Sequence, residues 1–484
     1  MLGLGGTILV LPSLFSACSD DDSITAPAEP VGLDLTTDAG ILNYAFVLEQ
    51  LEAAFYEAVV ASAAFSGMSV EQREVMSDLR NHEVAHRELL RATLGSAAIG
   101  DISLNQATVG SAVSSAAKIL ENAELFEDLG VSAYNGAGKY LRDANTLLLA
   151  GKIASVEGRH AAAIRDMREG LNLGGTPANT RFAGDDVVGA QGLDLTREPS
   201  VALTSVGATK FVSTGIAIGS QPTLVQSAGD VKAVLDFALT LEILENELYK
   251  AVLGTSASSA QNAAFAPVRA LMPAATVTAF QQIQKHEAAH VGFLLANGAT
   301  DALGLGADSF DFTGNRGSGT PGPFARATTE LPFLLAMVQG IEDTGVRAYK
   351  GQVGALLANR ALLESALRIH SVEARHASKL RRLRRASGAS GATSVKYSGT
   401  VSGGGASAAG TGNITPAPDA NVAAVFAAIY AGEDNTTQGG VSITALANLP
   451  SVFDATAASE AFDEPLTRAE VLAIVQPFSR PTLV

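Results

Sequence analysis

Four times the chain carries a glutamate followed three residues later by a histidine: Glu83 and His86, Glu157 and His160, Glu287 and His290, Glu373 and His376. A helix turns about 100° per residue, so such partners leave nearly the same helix face one turn apart and can reach one metal ion together. The chain has seven histidines, and four of them close these motifs. His82 and His286 each stand just before a motif glutamate, and His370 lies shortly before the last motif. The single cysteine, Cys18, excludes an internal disulfide, a four-thiolate metal site and a thiolate-bound cluster. Any metal must therefore be held by oxygen and nitrogen, and a carboxylate-rich donor set suits iron or manganese better than copper.

The motifs recur because the chain is a duplication. Residues 42–52 (LNYAFVLEQLE) match residues 235–245 (LDFALTLEILE), and residues 81–86 (NHEVAH) match 285–290 (KHEAAH). Residues 127–131 (EDLGV) then match 342–346 (EDTGV), and 156–160 (VEGRH) match 372–376 (VEARH). Each segment sits in an apolar pattern of helical period, which predicts four long helices per repeat. Marked positions in the first repeat are 34 (49 to 83), 41 (86 to 127) and 30 (127 to 157) residues apart; in the second they are 45, 52 and 31. The middle gap is the longest in both, so each repeat reads as two helical hairpins joined by a crossover. Glutamates from two helices and a Glu-x-x-His from each of the other two supply four carboxylates and two imidazoles. Two divalent ions nearly offset that charge, so the cluster can sit in a bundle core where a lone glutamate would be severely desolvated.

The pattern resembles the ferritin-like superfamily, most closely the bacterial and plant ferritin-like family that includes desiccation-related proteins, over about residues 35–170 and 228–386. The resemblance implies an all-α fold of two tandem four-helix bundles, each with a dinuclear centre of iron or manganese. Motif by motif, it implies the ligands Glu49, Glu83, His86, Glu127, Glu157 and His160 in the first domain. In the second it implies Glu242, Glu287, His290, Glu342, Glu373 and His376. Tyr56, Tyr134, Tyr249 and Tyr349 each follow one of the lone glutamates by seven residues, nearly two turns. Each therefore shares its glutamate's face, either as a hydrogen-bond donor behind the ligand or as core packing. His82, His286 and His370 read as polar residues on helix faces, and Glu52 and Glu245 as satisfied carboxylates beside the site. Two adjacent ions that each change oxidation state by one can deliver two electrons to O2 or H2O2. The expected function is thus a di-metal oxidoreductase: ferroxidase, peroxide reduction or catalase-like turnover on Fe(II), O2 or H2O2, in oxidative or desiccation stress. The alternative is a non-enzymatic envelope protein for structure or stress protection, its bundles braced by metal. A hollow storage cage fits poorly with the long linker and tail.

Composition frames these readings. The chain has 484 residues, 47% hydrophobic and 17% charged, enough for more than one well-packed core. A net charge of −16 without a basic stripe excludes nucleic acid as a partner. Arg381, Arg382, Arg384 and Arg385 read as a solvated helix end. Residues 1–34 read as a signal and tether: the apolar run from Leu2 to Phe15 is too short to span a bilayer, and the stretch ending at Cys18 resembles a bacterial lipoprotein signal. The expectation is an exported protein, in the periplasm or at the cell surface, anchored by lipid on Cys18. The alternative is an uncleaved apolar tail with a free thiol. Residues 171–228 form a linker with a short strand within 210–218, and residues 301–330 insert a loop into the second crossover. Residues 387–484 form a Gly/Ala-rich segment and C-terminal extension. Within it, Ala423 to Tyr430 and a capping box from Thr467 to Glu470 predict two short helices packing back on the domains. Oligomeric state, a homo-oligomer included, is left open.

Overall fold

The computed structural model describes residues 30–170, 179–222, 224, 231–387 and 418–483. The leader with Cys18 and the Gly/Ala-rich residues 388–417 lie outside the described residues. Helix α1 (Asp38–Ala61) starts at Thr37, whose Oγ1 accepts the Gly40 N–H at 3.0 Å. Helix α2 (Val70–Leu94) starts with a reciprocal cap between Ser69 and Gln72 and ends at Gly95, whose φ of +52° is the left-handed turn that glycine favours. After the crossover, Ser115 caps α3 (Ala116–Ala137), and α4 (Ala144–Gly170) returns along it. Pairs α1/α2 and α3/α4 pack as hairpins, the topology that the spacing predicts.

A short helix, α5 (Pro199–Thr209), precedes the second bundle. That bundle is built from α6 (Lys232–Leu253), α7 (Ala274–Ala296), α8 (Leu331–Gln352) and α9 (Arg360–Ala386), paired α6/α7 and α8/α9. The tail adds α10 (Ala423–Ile429), α11 (Ala455–Glu460) and α12 (Arg468–Val475). Both short helices expected from the sequence form, and Thr467 and Glu470 cap α12 reciprocally. Strand β1 (Val31–Asp34) pairs in parallel with β2 (Ile216–Ser220), so the strand expected in the linker lies slightly further along the chain and is tied to residues before α1. Strands β3 (Thr437–Gln438) and β4 (Val441–Ser442) form a small hairpin, unanticipated above, whose turn is Gly439-Gly440, both at positive φ. Among the described residues, no helix is long and apolar enough to cross a membrane.

The bundles meet along α4 and α9. A side chain at Gly158 would come within 2.9 Å of the Ser371 carbonyl oxygen and 3.1 Å of Ala374 Cβ, so glycine permits the helix axes to approach there. The seam is ionic as well as apolar. Arg159 reaches Asp343 at 2.9 Å, Arg375 reaches Asp128 at 3.3 Å, and Lys379 reaches Asp166 at 2.7 Å. Arg381, expected in solvent, is buried and paired with Asp343 at 2.7 Å, while Arg382 spans Glu71 and Asp166. The arginine cluster is part of the joint between domains: Arg382 and Arg385 take acidic partners from the first bundle, while Arg381 is neutralised within its own bundle by Asp343.

Candidate metal centres

Glu49 on α1, Glu83 and His86 on α2, Glu127 on α3, and Glu157 and His160 on α4 all point into the first bundle and are fully buried. Ligand atoms from Glu49, Glu83, His86 and Glu157 lie within 4.8 Å of one another, as do those of Glu83, Glu127, Glu157 and His160. Glu83 and Glu157 belong to both groups. The two groups overlap in these carboxylates, one completed by Glu49 and His86, the other by Glu127 and His160, and each could hold a cation. The second bundle repeats it: Glu242, Glu287, His290 and Glu373 form one group, and Glu287, Glu342, Glu373 and His376 the other. All twelve residues singled out from the sequence are thus drawn into two clusters of six.

Without a cation these clusters are electrostatically unsatisfied. Both oxygens of Glu83 and of Glu157, with Glu49 Oε2 and Glu127 Oε2, have no hydrogen-bond partner, and in the second cluster the same holds for Glu287 Oε1 and both Glu373 oxygens. Burial drives Glu127 up to about 8 and Glu242 up to about 7, against the pull of His160 and His290, and raises Glu49 and Glu373 well above the usual range. Burial would raise Glu83 and Glu287 too, but each touches two imidazoles, which hold it below that range. Burial would lower His376, yet the charges of Glu342 and Glu287 push it up to about 10. His86, His160 and His290 rise for the same reason, led by Glu49, Glu127 and Glu242 respectively. Carboxylates converging on one dry point, with only the imidazole Nδ1 atoms of the cluster beside them, fit a pair of divalent cations, which would displace the shared protons.

The imidazole nitrogens that face outward are all tied. His160 Nε2 lies 2.9 Å from His82 Nδ1 and His376 Nε2 lies 3.0 Å from His286 Nδ1, with each ring pair stacked at 5.2 Å between centroids. His82 and His286 are therefore buried partners of the cluster histidines, not polar face residues, because the bundle closes over that side of α2 and α7. Their signal was the HE-x-x-H string itself, present in both repeats. His370 is also buried, near Lys350, Asp463 and Arg159 at the seam, and belongs to neither cluster. His86 Nε2 donates to the Ala461 carbonyl and His290 Nε2 to the Gly192 carbonyl, each at 2.7 Å.

The tyrosines are donors, but across the bundle. Tyr134 donates to Glu49, Tyr56 to Glu127, Tyr349 to Glu242 and Tyr249 to Glu342, each at 2.5 Å. Seven residues rise about 10.5 Å along a helix, out of reach for a tyrosine and its own glutamate. Antiparallel α1 and α3 instead put each tyrosine level with the other helix's glutamate. Glu52 and Glu245 are buried beside the clusters, where Gly130 and Gly345 make room: an added Cβ would meet their carboxylates at 2.9 and 3.0 Å. Glu52 Oε2 has no hydrogen-bond partner, so that carboxylate is not satisfied as expected.

A family model of the ferritin-like domain matches residues 37–170 and 230–386, more than half of the chain. The chain belongs to the ferritin-like domain family. No curated protein and no solved structure matches it.

Proposed function

We propose that each bundle binds two iron or two manganese ions and that the protein is an oxidoreductase acting on O2 or H2O2. The sharing of Glu83 with Glu157, and of Glu287 with Glu373, between adjacent cation positions carries this reading. Ions so bridged would supply paired one-electron changes. The chain's own part is to hold four carboxylates deprotonated around them, to orient Glu49 and Glu242 through Tyr134 and Tyr349, and to exclude bulk water.

The apolar surroundings of each cluster support a small uncharged reactant. An apolar pocket in the first bundle is lined by Leu42, Ala45, Leu48, Tyr134, Leu141 and Ala150. The matching positions Leu235, Ala238, Leu241, Tyr349, Leu356 and Ala366 line one in the second. Each ends on the tyrosine that donates to the cluster. Such a lining disfavours a hydrated Fe(II) ion and therefore favours O2 or peroxide turnover over iron storage.

The test is metal analysis of wild type and of Glu49→Ala with Glu242→Ala, together with O2 and H2O2 consumption. The expected outcome is redox-active metal in the wild type, with both metal and turnover lost in the double variant. Unchanged metal content in the variant sinks the proposal. A second reading, in which the ions only brace the bundles, draws support from the complete burial of all twelve side chains. Tightly held, redox-inert metal with no consumption of either oxidant would favour it.

A further inference from the structure

The segments expected to be linker and tail perform one task twice. Residues 192–194 carry Gly-Leu-Asp and residues 461–463 carry Ala-Phe-Asp. Gly192 O accepts from His290 and Asp194 pairs with Arg375 at 2.7 Å, both in the second bundle. Ala461 O accepts from His86 and Asp463 pairs with Arg159 at 2.8 Å, both in the first. Each arginine is the residue just before a cluster histidine. Each segment then returns to the bundle it follows: Arg197 N donates to Ser132 O at 2.9 Å, and Leu466 N to Arg347 O at 3.1 Å. A side chain at Gly136 or Gly351 would overlap those returning strands, at Arg197 O and Leu466 O. The duplication therefore includes the segments after the bundles, and each crosses to the other repeat.

We infer that the two metal centres are built reciprocally: the segment after the first bundle completes the second centre, and the C-terminal tail completes the first. The inference rests on the metal reading above. A carbonyl oxygen can only accept, so the ring nitrogen facing it carries the proton, and the Nδ1 lone pair is left for the ion. Gly192 and Ala461 are thus positioning residues that fix the tautomer and tilt of His290 and His86. Phe462 adds an edge contact to the His86 ring, centroids 5.4 Å apart. Gly192 has φ +72°, and a Cβ there would lie 2.5 Å from His290 Cδ2, so any side chain pushes on the ring.

The experiment uses the full chain loaded with Zn(II) as a diamagnetic probe. Gly192→Ala is expected to lower bound zinc to about half. Adding His290→Ala should lower it no further, whereas adding His86→Ala should bring it close to zero. In the 15N spectrum of histidines, the His290 Nε2–H signal should shift or vanish while that of His86 stays. Should Gly192→Ala fail to fold, Asp194→Asn and Asp463→Asn keep the backbone and remove only the anchor charge. They are expected to weaken zinc roughly 10–100-fold at the second and the first centre respectively. Loss confined to the centre preceding the mutated segment, equal loss at both, or no loss overturns the inference. A wild type that binds no zinc, iron or manganese overturns the metal reading itself.

Discussion

Tyr349 and Tyr134 show how a single hydroxyl connects two helices to one charge. Each donates to a glutamate of the opposing helix, and burial together with that carboxylate holds each phenol well above its ordinary range. Tyr349→Phe removes the donor but keeps the ring, so the core stays filled while Glu242 Oε1 loses its partner. Metal affinity at the second centre is expected to fall on the order of 10–100-fold, as for other groups that orient ligands. Competition with a calibrated chelator measures it, and an unchanged affinity would reduce Tyr349 to packing. At this scale the eight Glu-x-x-His residues were legible because that spacing is a local property of a helix, and Glu49, Glu127, Glu242 and Glu342 through the internal repeat and the resemblance it carries. The tyrosine partners were not, since pairing across a bundle depends on which level each residue occupies in the antiparallel neighbour. His82 and His286 were misread for a related reason: periodicity locates a face but not what covers it.

Helices α8 and α3, equivalent in the two repeats, differ where Lys350 stands in place of Asn135, and this gives an element its own pH signature. Lys350 on α8 is fully buried, donates to the Asp463 carbonyl at 2.9 Å, and is lowered to about 8 by burial, only partly opposed by Asp463 and Glu433. Below about 8 the ammonium is charged in folded and unfolded chains alike, and its burial costs stability. Between about 8 and its unfolded value near ~10.4, the folded chain has released a proton that the unfolded chain keeps, so stability rises with pH. Lys350→Met removes this dependence. In the metal-loaded protein, the urea stability of wild type minus that of the variant is expected to climb from pH 7 to pH 10; a flat difference would contradict the assignment. The helices, their hairpin pairing and the capping box were readable from period, caps and spacing. Arg382 and Arg385 of α9 were not, because the acids that neutralise them lie hundreds of residues away, as with Arg382 and Glu71.

For the molecule as a whole, metal binding would be coupled to folding, since the clusters concentrate buried carboxylate oxygens that lack hydrogen-bond partners. Removing metal at pH 7 is expected to lower the thermal midpoint, with a free ion at about 100 times its Kd contributing about 2.7 kcal/mol per independent site. Calorimetry with and without chelator checks this, and equal midpoints would mean that the clusters fold without ions. The boundary between bundle and extension was the least legible feature, because the segments after the bundles share only short strings and pack against a repeat distant in sequence. One consequence of the seam concerns ancestry. In a symmetric pair of separate subunits every substitution appears on both sides of the axis. Here Lys350 stands where the first repeat has Asn135, and His370 where it has Ala154. Covalent fusion lets each copy mutate alone, so a basic residue at the join can arise once, and the two halves lose the interchangeability that separate copies would keep.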